Sequence, residues 1–313
     1  MSKVRVLFLG TPEFAVAALK RLIADDHFEV VAVVSQPDRP SGRKMQLKAS
    51  PVKELALASG LHVLTPETVN TEEFRTEIKS LNAESAAVVA FGQILGQKFL
   101  DIFPRGCVNV HGSLLPKWRG AAPIQRSVMA GDKETGVALQ IVVRKLDAGP
   151  LLGVRKLELD DETNAFELHD ALKDLGADLL QVEYMDYLRG HLNPVEQDES
   201  GVTTAPKIDK AEARINWSLS AREIHNKIRG LQMGPFAFST LDGKDVKLHR
   251  SMIISETGKS AEPGKILDHA DGVHVACGAG VLNLLEVQPE SKARMPASGF
   301  ALGYLQNSSK KFA

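Results

Sequence analysis

Two cysteines in 313 residues, Cys107 and Cys277, are too few for a disulfide scaffold. They lie far apart and at no metal-ligand spacing, so two reduced structural thiols are expected. Long hydrophobic runs are also missing: no segment approaches the ~20 apolar residues of a membrane span. The opening MSKVRVLFLG has a short apolar run that stops at Gly10-Thr11-Pro12. It lacks the longer stretch and small-residue cleavage site of a signal peptide, and reads as a buried strand ending in a turn. A cytosolic protein with no membrane partner is expected. Net charge is only −1, which argues against a wholly basic nucleic-acid binder. The first strand is not followed by Gly-x-Gly-x-x-Gly, and no Walker-A loop occurs, which argues against a bound dinucleotide or a P-loop. There is no Gly-x-Ser-x-Gly elbow. The nine histidines do not pair with cysteines at zinc spacings, so no metal is expected. Internal repeats and low-complexity segments are absent.

What is present is an ordinary globular composition, 43% hydrophobic and 25% charged. The length suggests two domains of ~100–200 residues. In the first half, apolar runs at 4–9, 30–34, 63–64, 86–90 and 107–110 alternate with helical patterns. Uninterrupted apolar strands with helices between them indicate a mainly parallel sheet covered on both faces, an α/β fold. Runs at 137–143 and 151–157 add two strands around the loop 144–150, and a long helix is predicted over 163–189, with Asn164 and Glu167 as a capping box and Gly190 as its stop. Residues 191–208 are polar and aperiodic and read as a linker. Beyond them Ser220 and Glu223 form another capping box. Asp242-Gly243 and Asp271-Gly272 each sit between alternating apolar runs, a hairpin signal. One helix plus several short antiparallel strands suggests a small β-barrel. Residues 206–313 hold 15 Lys+Arg against 11 Asp+Glu, whereas 1–205 hold 23 against 28, compatible with steering an anionic macromolecule.

The most unusual stretch is Asn109-Val110-His111-Gly112-Ser113-Leu114-Leu115-Pro116, at the C-terminal end of a predicted strand, where open parallel sheets bind ligands. Residues two apart on a strand share a face, so Asn109 and His111 can aim at one point. A lone histidine is more often structural than catalytic, and Asp147 in Leu146-Asp147-Ala148-Gly149-Pro150 taken alone is an ordinary turn aspartate. Together they suggest more. A carboxylate beside an imidazole favours the protonated ring, and an amide plus a protonated imidazole can stabilise an oxyanion. A site with Asn, His and Asp but no good nucleophile implies that the nucleophile arrives with the substrate. Acyl transfer to a substrate amine fits.

These residues resemble the folate-dependent formyltransferases. The similarity lies in Asn109-x-His111 with Ser113-Leu114-Leu115-Pro116 and the later Asp147. Three longer runs, 111–125, Gln36–Arg43 and Ala213–Ser218, are similar to the branch that acts on initiator tRNA, and the resemblance covers nearly the whole chain. One departure is Ala148, where that family more often has Thr; it leaves the carboxylate in place. The resemblance implies a Rossmann-like catalytic domain (1–190), a linker (191–208) and a small OB-like β-barrel that binds tRNA (209–313). It implies 10-formyltetrahydrofolate as donor and the α-amino group of methionyl initiator tRNA as acceptor, with Asn109, His111 and Asp147 catalytic. Ser113, Leu114, Leu115 and Pro116 would line the folate pocket. The loop Phe91-Gly92-Gln93-Ile94-Leu95 would receive the pteridine through backbone groups.

The loop 36–53 carries Arg39, Arg43, Lys44, Lys48 and Lys53 against a single Asp38, and Pro37, Pro40 and Gly42 are expected to keep it out of regular structure. With the resemblance it becomes a tRNA-contacting loop through Arg39, Arg43, Lys44 and Lys48, Arg43 foremost. A monomer is expected. The nearest rival is a formyltransferase acting on an amino-sugar nucleotide. A non-catalytic folate- or RNA-binding protein is the rival from another class.

Overall fold

The computed structural model describes residues 3–41, 46–259, 261–269, 271–306 and 310–313. The chain forms two compact units. The first holds residues up to 123, 135–157 and 169–204; the second holds 124–134, 158–168 and 205–313.

The first unit is built on a seven-stranded sheet: β1 (Val4–Gly10), β2 (Phe28–Val34), β3 (Val63–Leu64), β4 (Ser85–Val89), β5 (Cys107–His111), β6 (Glu134–Ile141) and β7 (Leu151–Glu158). Their spatial order is β7-β6-β5-β4-β1-β2-β3. The pairs β1–β2, β1–β4, β2–β3 and β4–β5 are parallel, and β5–β6 is antiparallel. All five residues of β4 are buried, the pattern of a strand covered on both faces. Leu7, Leu9, Ala86, Phe99 and Cys107 sit in one core beneath it. Strand order reverses at β1, so the loops after β1, β4 and β5 gather at one carboxyl edge, where such sheets bind ligands. The registers Gly10↔Val89 and Val89↔Val110 bring those three strand ends level.

The long helix runs over Ala165–Leu188. Its start is the expected capping box: Asn164 Oδ1 accepts from the N–H groups of Phe166 and Glu167, and Glu167 accepts from the Asn164 N–H. Gly190, just past its end, has φ +75°, a left-handed conformation that costs glycine little. Of the stretch 191–208, which the sequence suggests as linker, residues 191–204 pack with the first unit; Val195 bridges Leu151 by two backbone hydrogen bonds of 2.7 and 2.9 Å. Loop 36–53 differs from expectation. Arg39–Ser41 and Gln46–Lys48 pair as an antiparallel two-stranded ribbon, with Arg39 opposite Lys48. Pro40 is compatible with it because a two-stranded ribbon has two free edges, where a missing N–H breaks no ladder.

The second unit contains the antiparallel strands Phe238–Leu241, Lys244–Ser255, Val281–Pro289, Val273–Ala276 and Ile266–Asp268, in that spatial order. Asp242 and Gly243 both have positive φ, +49° and +77°, and form the two-residue turn of the first hairpin. The connection holding Asp271-Gly272 is longer, running from the end of one strand at Asp268 to the start of the next at Val273. Helix Ala221–Gly230 begins at the Ser220/Glu223 capping box. Residues 158–168 join this unit because Arg229 donates to the carbonyls of Asp160 and Thr163 at 3.0 and 2.9 Å, and His225 Nε2 lies 2.9 Å from the Asp161 carbonyl. Arg126 pairs with Glu212, which ties in the short helix Pro123–Ala130. Trp217 stacks on Phe312, and its indole N–H donates to Ser239 at 2.9 Å.

Candidate active site

His111 ends β5, and Asn109 lies two residues earlier on the same face. The His111 side chain is 7% exposed and that of Asp147 12%. In so dry a setting, charges act more strongly on one another than they do in water. His111 Nε2 lies 2.9 Å from the Trp118 carbonyl. A carbonyl only accepts, so Nε2 carries a proton. His111 Nδ1 lies 3.7 Å from Asp147 Oδ2, an ion-pair distance but longer than a hydrogen bond. The imidazole is therefore held by Trp118, and its other edge faces the carboxylate without being tied to it. Asn109 is half-buried, and its side chain has no hydrogen-bond partner among the described residues.

Asp147 is fixed independently of the ring. Its Oδ2 accepts from the Gly120 N–H at 2.8 Å, and its Oδ1 from Gln140 Nε2 at 3.0 Å. Its backbone is left-handed, φ +48°, as is that of Trp118 at +62°. Such conformations are sparse outside glycine and cluster at functional sites. Gly149 makes the loop possible: a Cβ there would meet the Ile141 carbonyl oxygen at 1.7 Å. The loop is also held from below. Gln197 donates to the Asp147 and Gly149 carbonyls at 2.9 and 2.7 Å and accepts from Arg119 Nε and Nη2 at 3.1 and 2.8 Å. Arg119 Nη2 also reaches Glu199 at 2.8 Å, whose second oxygen accepts from Lys145 at 2.9 Å. Hydrogen bonds from Arg119 and then Lys145 hold the Glu199 carboxyl down to about 2.

The residues suggested for the folate pocket divide by what their side chains do. Ser113 is fully buried and donates its hydroxyl to the Lys117 carbonyl at 2.6 Å, closing the turn. Leu115 is buried and precedes a cis peptide to Pro116; Leu114 and Pro116 are partly exposed. In the loop after β4, Phe91 is buried in the core, and its carbonyl accepts from Thr11 Oγ1 and Gln36 Nε2 at 2.9 and 3.2 Å. Gln93 turns toward another loop, accepting from the Val69 N–H and donating to the Pro66 carbonyl. The Ile94 carbonyl accepts from Asn70. Ile94 itself is 84% exposed, Leu95 packs on the core, and Gly92 has φ +89°.

Of the basic residues in loop 36–53, Arg39 pairs with Glu67 at 2.7 Å while remaining mostly exposed, and Lys48 is exposed. Arg43 and Lys44 lie outside the described residues. Lys53 is in helix Pro51–Ala58, in a half-buried pair with both oxygens of Asp38 at 2.8 and 2.9 Å, so it anchors the base of the loop.

Sequence reasoning missed Gln140 and Gln197 and gave Arg119 no role. Gln140 did leave a signal, as a polar residue inside an apolar strand and directly opposite Asn109 in the register. Gln197 left none, being one polar residue in a polar stretch. Among the described residues no group of His, Cys, Asp or Glu side chains is arranged to hold a metal ion, and no helix is long and apolar enough to cross a membrane.

Two family profiles match this chain: "Formyl transferase" over residues 2–182 and "Formyl transferase, C-terminal domain" over 207–305. A methionyl-tRNA formyltransferase of Bdellovibrio bacteriovorus is 58% identical over 97% of both chains. One of Methylococcus capsulatus is 44% identical over 95% of this chain and 96% of its own. Among solved structures, a sugar 3N-formyl transferase in the presence of dTDP and 5-N-formyl-THF superposes with a TM-score of 0.69 at 16% identity, covering 94% of this chain and all of that one. HypX from Aquifex aeolicus with tetrahydrofolic acid gives 0.63 at 15% identity, covering 98% of this chain and 48% of its own. The two structures bear on fold alone; with profiles matched across both halves and near-full-length identity to named relatives, the chain belongs to the formyl transferase family.

Proposed function

We propose that this chain transfers the formyl group of 10-formyltetrahydrofolate to the α-amino group of methionyl initiator tRNA. The observation that carries the reading is the 58% identity, over 97% of both chains, to a protein named for that reaction. The geometry at the end of β5 supports the chemistry. The acceptor amine is the nucleophile. Reference α-amino groups have pKa ~7.7–8.0, so a useful fraction is unprotonated near neutral pH. Its attack on the formyl carbon forms a C–N bond and puts negative charge on the formyl oxygen.

The Asn109 amide, which no protein group engages among the described residues, and the uncommitted Nδ1 edge of His111 are the donors for that oxygen. Asp147, 3.7 Å from the ring, balances the charge of a protonated imidazole. It also assists the proton lost by the amine on its way to the folate nitrogen that leaves as the old C–N bond breaks. The net proton count is unchanged. Folate meets the loops at 91–95 and 113–116, and the tRNA meets the basic loop through Arg39, Arg43, Lys44 and Lys48.

The test is direct. The purified chain is mixed with 10-formyltetrahydrofolate and charged initiator tRNA, and formyl-methionine is measured, with an amino-sugar nucleotide as the alternative acceptor. Formyl-methionine with no product on the sugar supports the reading; formylation of the sugar alone refutes it.

A further inference from the structure

Asp147 is held at both ends by glutamines. Gln140 grips one carboxylate oxygen, and Gln197 lies under the main chain of the loop. Gln197 is 8% exposed and Arg119 6%. The orientation of the Gln197 carboxamide is not arbitrary. One end faces two carbonyl oxygens, which only accept, and the other faces a guanidinium, which only donates, so the amide nitrogen must point at the loop and the oxygen at Arg119. Turning it over would set oxygen against oxygen and nitrogen against nitrogen. The same direction of donation continues: Gln197 Nε2 lies 3.4 Å from Gln140 Oε1, which leaves the Gln140 amide nitrogen to face Asp147 Oδ1. A chain of donors therefore runs from Arg119, held by Glu199, through Gln197 and Gln140 to the carboxylate beside His111.

We propose that Gln197 and Arg119 are positioning residues for formyl transfer, holding Asp147 in its left-handed backbone so that its carboxylate faces His111. The inference rests on the catalytic reading of Asp147. Neither side chain touches a reacting atom in it; both act through the loop. A displacement of about 1 Å at a reacting centre can cost ~100-fold in rate. The two hydrogen bonds to Asp147 O and Gly149 O resist such a displacement in the main chain, as Gly120 and Gln140 do at the carboxylate, for a residue whose backbone conformation is itself unfavourable.

The decisive variant is Gln197→Glu. It keeps size and the pairing with Arg119 but sets a carboxylate oxygen against the Asp147 and Gly149 carbonyls. The expected result is kcat down ~100-fold, with KM for methionyl-tRNA and for the folate donor within about threefold, because no substrate contact is removed. A loss of stability alone would not do this. Ser220→Ala, which weakens a helix cap in the other unit, serves as the control, with a lowered melting point and unchanged kcat.

The cycle with Asp147→Asn decides the mechanism. If Gln197 acts through Asp147, Gln197→Glu adds almost nothing in an Asp147→Asn background. Additive losses overturn the proposal, as does parent-like kcat in Gln197→Glu. If Asp147→Asn itself keeps parent activity, the catalytic reading of Asp147 fails and this proposal with it. If Asp147→Asn is inactive while Gln197→Glu is not, only this proposal fails. Should Gln197→Glu not fold, Arg119→Lys replaces it in the same cycle. It keeps the charge beside Glu199 and loses the paired Nε and Nη2 contacts to Gln197, and the same split between kcat and KM is expected.

Discussion

Asn109 differs from its two neighbours in the site: His111 and Asp147 have protein partners that fix them, whereas the Asn109 amide has none among the described residues. A half-buried amide left without a protein partner at a strand end has little structural work to lose. Asn109→Ala is therefore expected to lower kcat by ~10²–10³, the range for removal of one oxyanion donor. Its melting point should stay within a few degrees of the parent, and steady-state formylation beside thermal unfolding checks both halves. A second residue-scale expectation concerns stability. Burial keeps the His225 ring below its usual value of 6.5, and His249 is shifted the same way by burial. The unfolded chain then takes up protons more readily than the folded one. The stability contributed by each neutral ring is complete above ~6.5 and is lost as pH falls through the lower folded value. Urea unfolding at pH 7.5 and 5.5 should show the parent weaker at pH 5.5, and His225→Gln should show a smaller drop.

Among the elements, β4 was legible because it buries both faces and so appears as an unbroken apolar run, and the long helix because Asn164, Glu167 and Gly190 mark its ends. The pairing of Arg39–Ser41 with Gln46–Lys48 was not legible: proline and glycine argue against strands on average, and here Pro40 pairs with Leu47 in a two-stranded ribbon. The common face of Asn109 and His111 was legible from their two-residue spacing on one strand. What holds Asp147 was not, since Gln197 and Arg119 come from distant parts of the chain and carry no periodic signal. Caps allow a quantitative check: Ser220→Ala removes the reciprocal capping box of helix Ala221–Gly230 and should cost ~1 kcal/mol in urea unfolding. In the basic segment 36–53, Arg43→Ala should slow formylation of methionyl-tRNA while leaving folate binding unchanged, measured as kcat/KM for tRNA against a folate titration. Equal activity of variant and parent on tRNA would remove Arg43 from the contact.

At the scale of the whole molecule, each of the two units takes up separate stretches of the chain, a division that carries no signal in the sequence. Residues 158–168 pack into the second unit through buried Arg229 and His225, whose partners Asp160, Thr163 and Asp161 lie more than sixty residues away in sequence, and Arg126 ties in 124–134 through Glu212. Binding of a polyanion by a chain of net charge −1 depends on where its cations sit rather than on their sum. Affinity for methionyl-tRNA should therefore fall linearly with the logarithm of salt concentration, and Arg43→Ala should reduce the slope by ~1. A slope near zero would show that phosphates are not engaged. The proposed transfer depends on one carboxylate facing one imidazole at 3.7 Å. Single-turnover formylation of methionyl-tRNA by Asp147→Asn, at saturating 10-formyltetrahydrofolate and with tRNA binding measured in parallel, tests it most directly. The expected result is a rate ~10²–10⁴ below the parent with tRNA affinity unchanged; a parent-like rate would contradict the assignment.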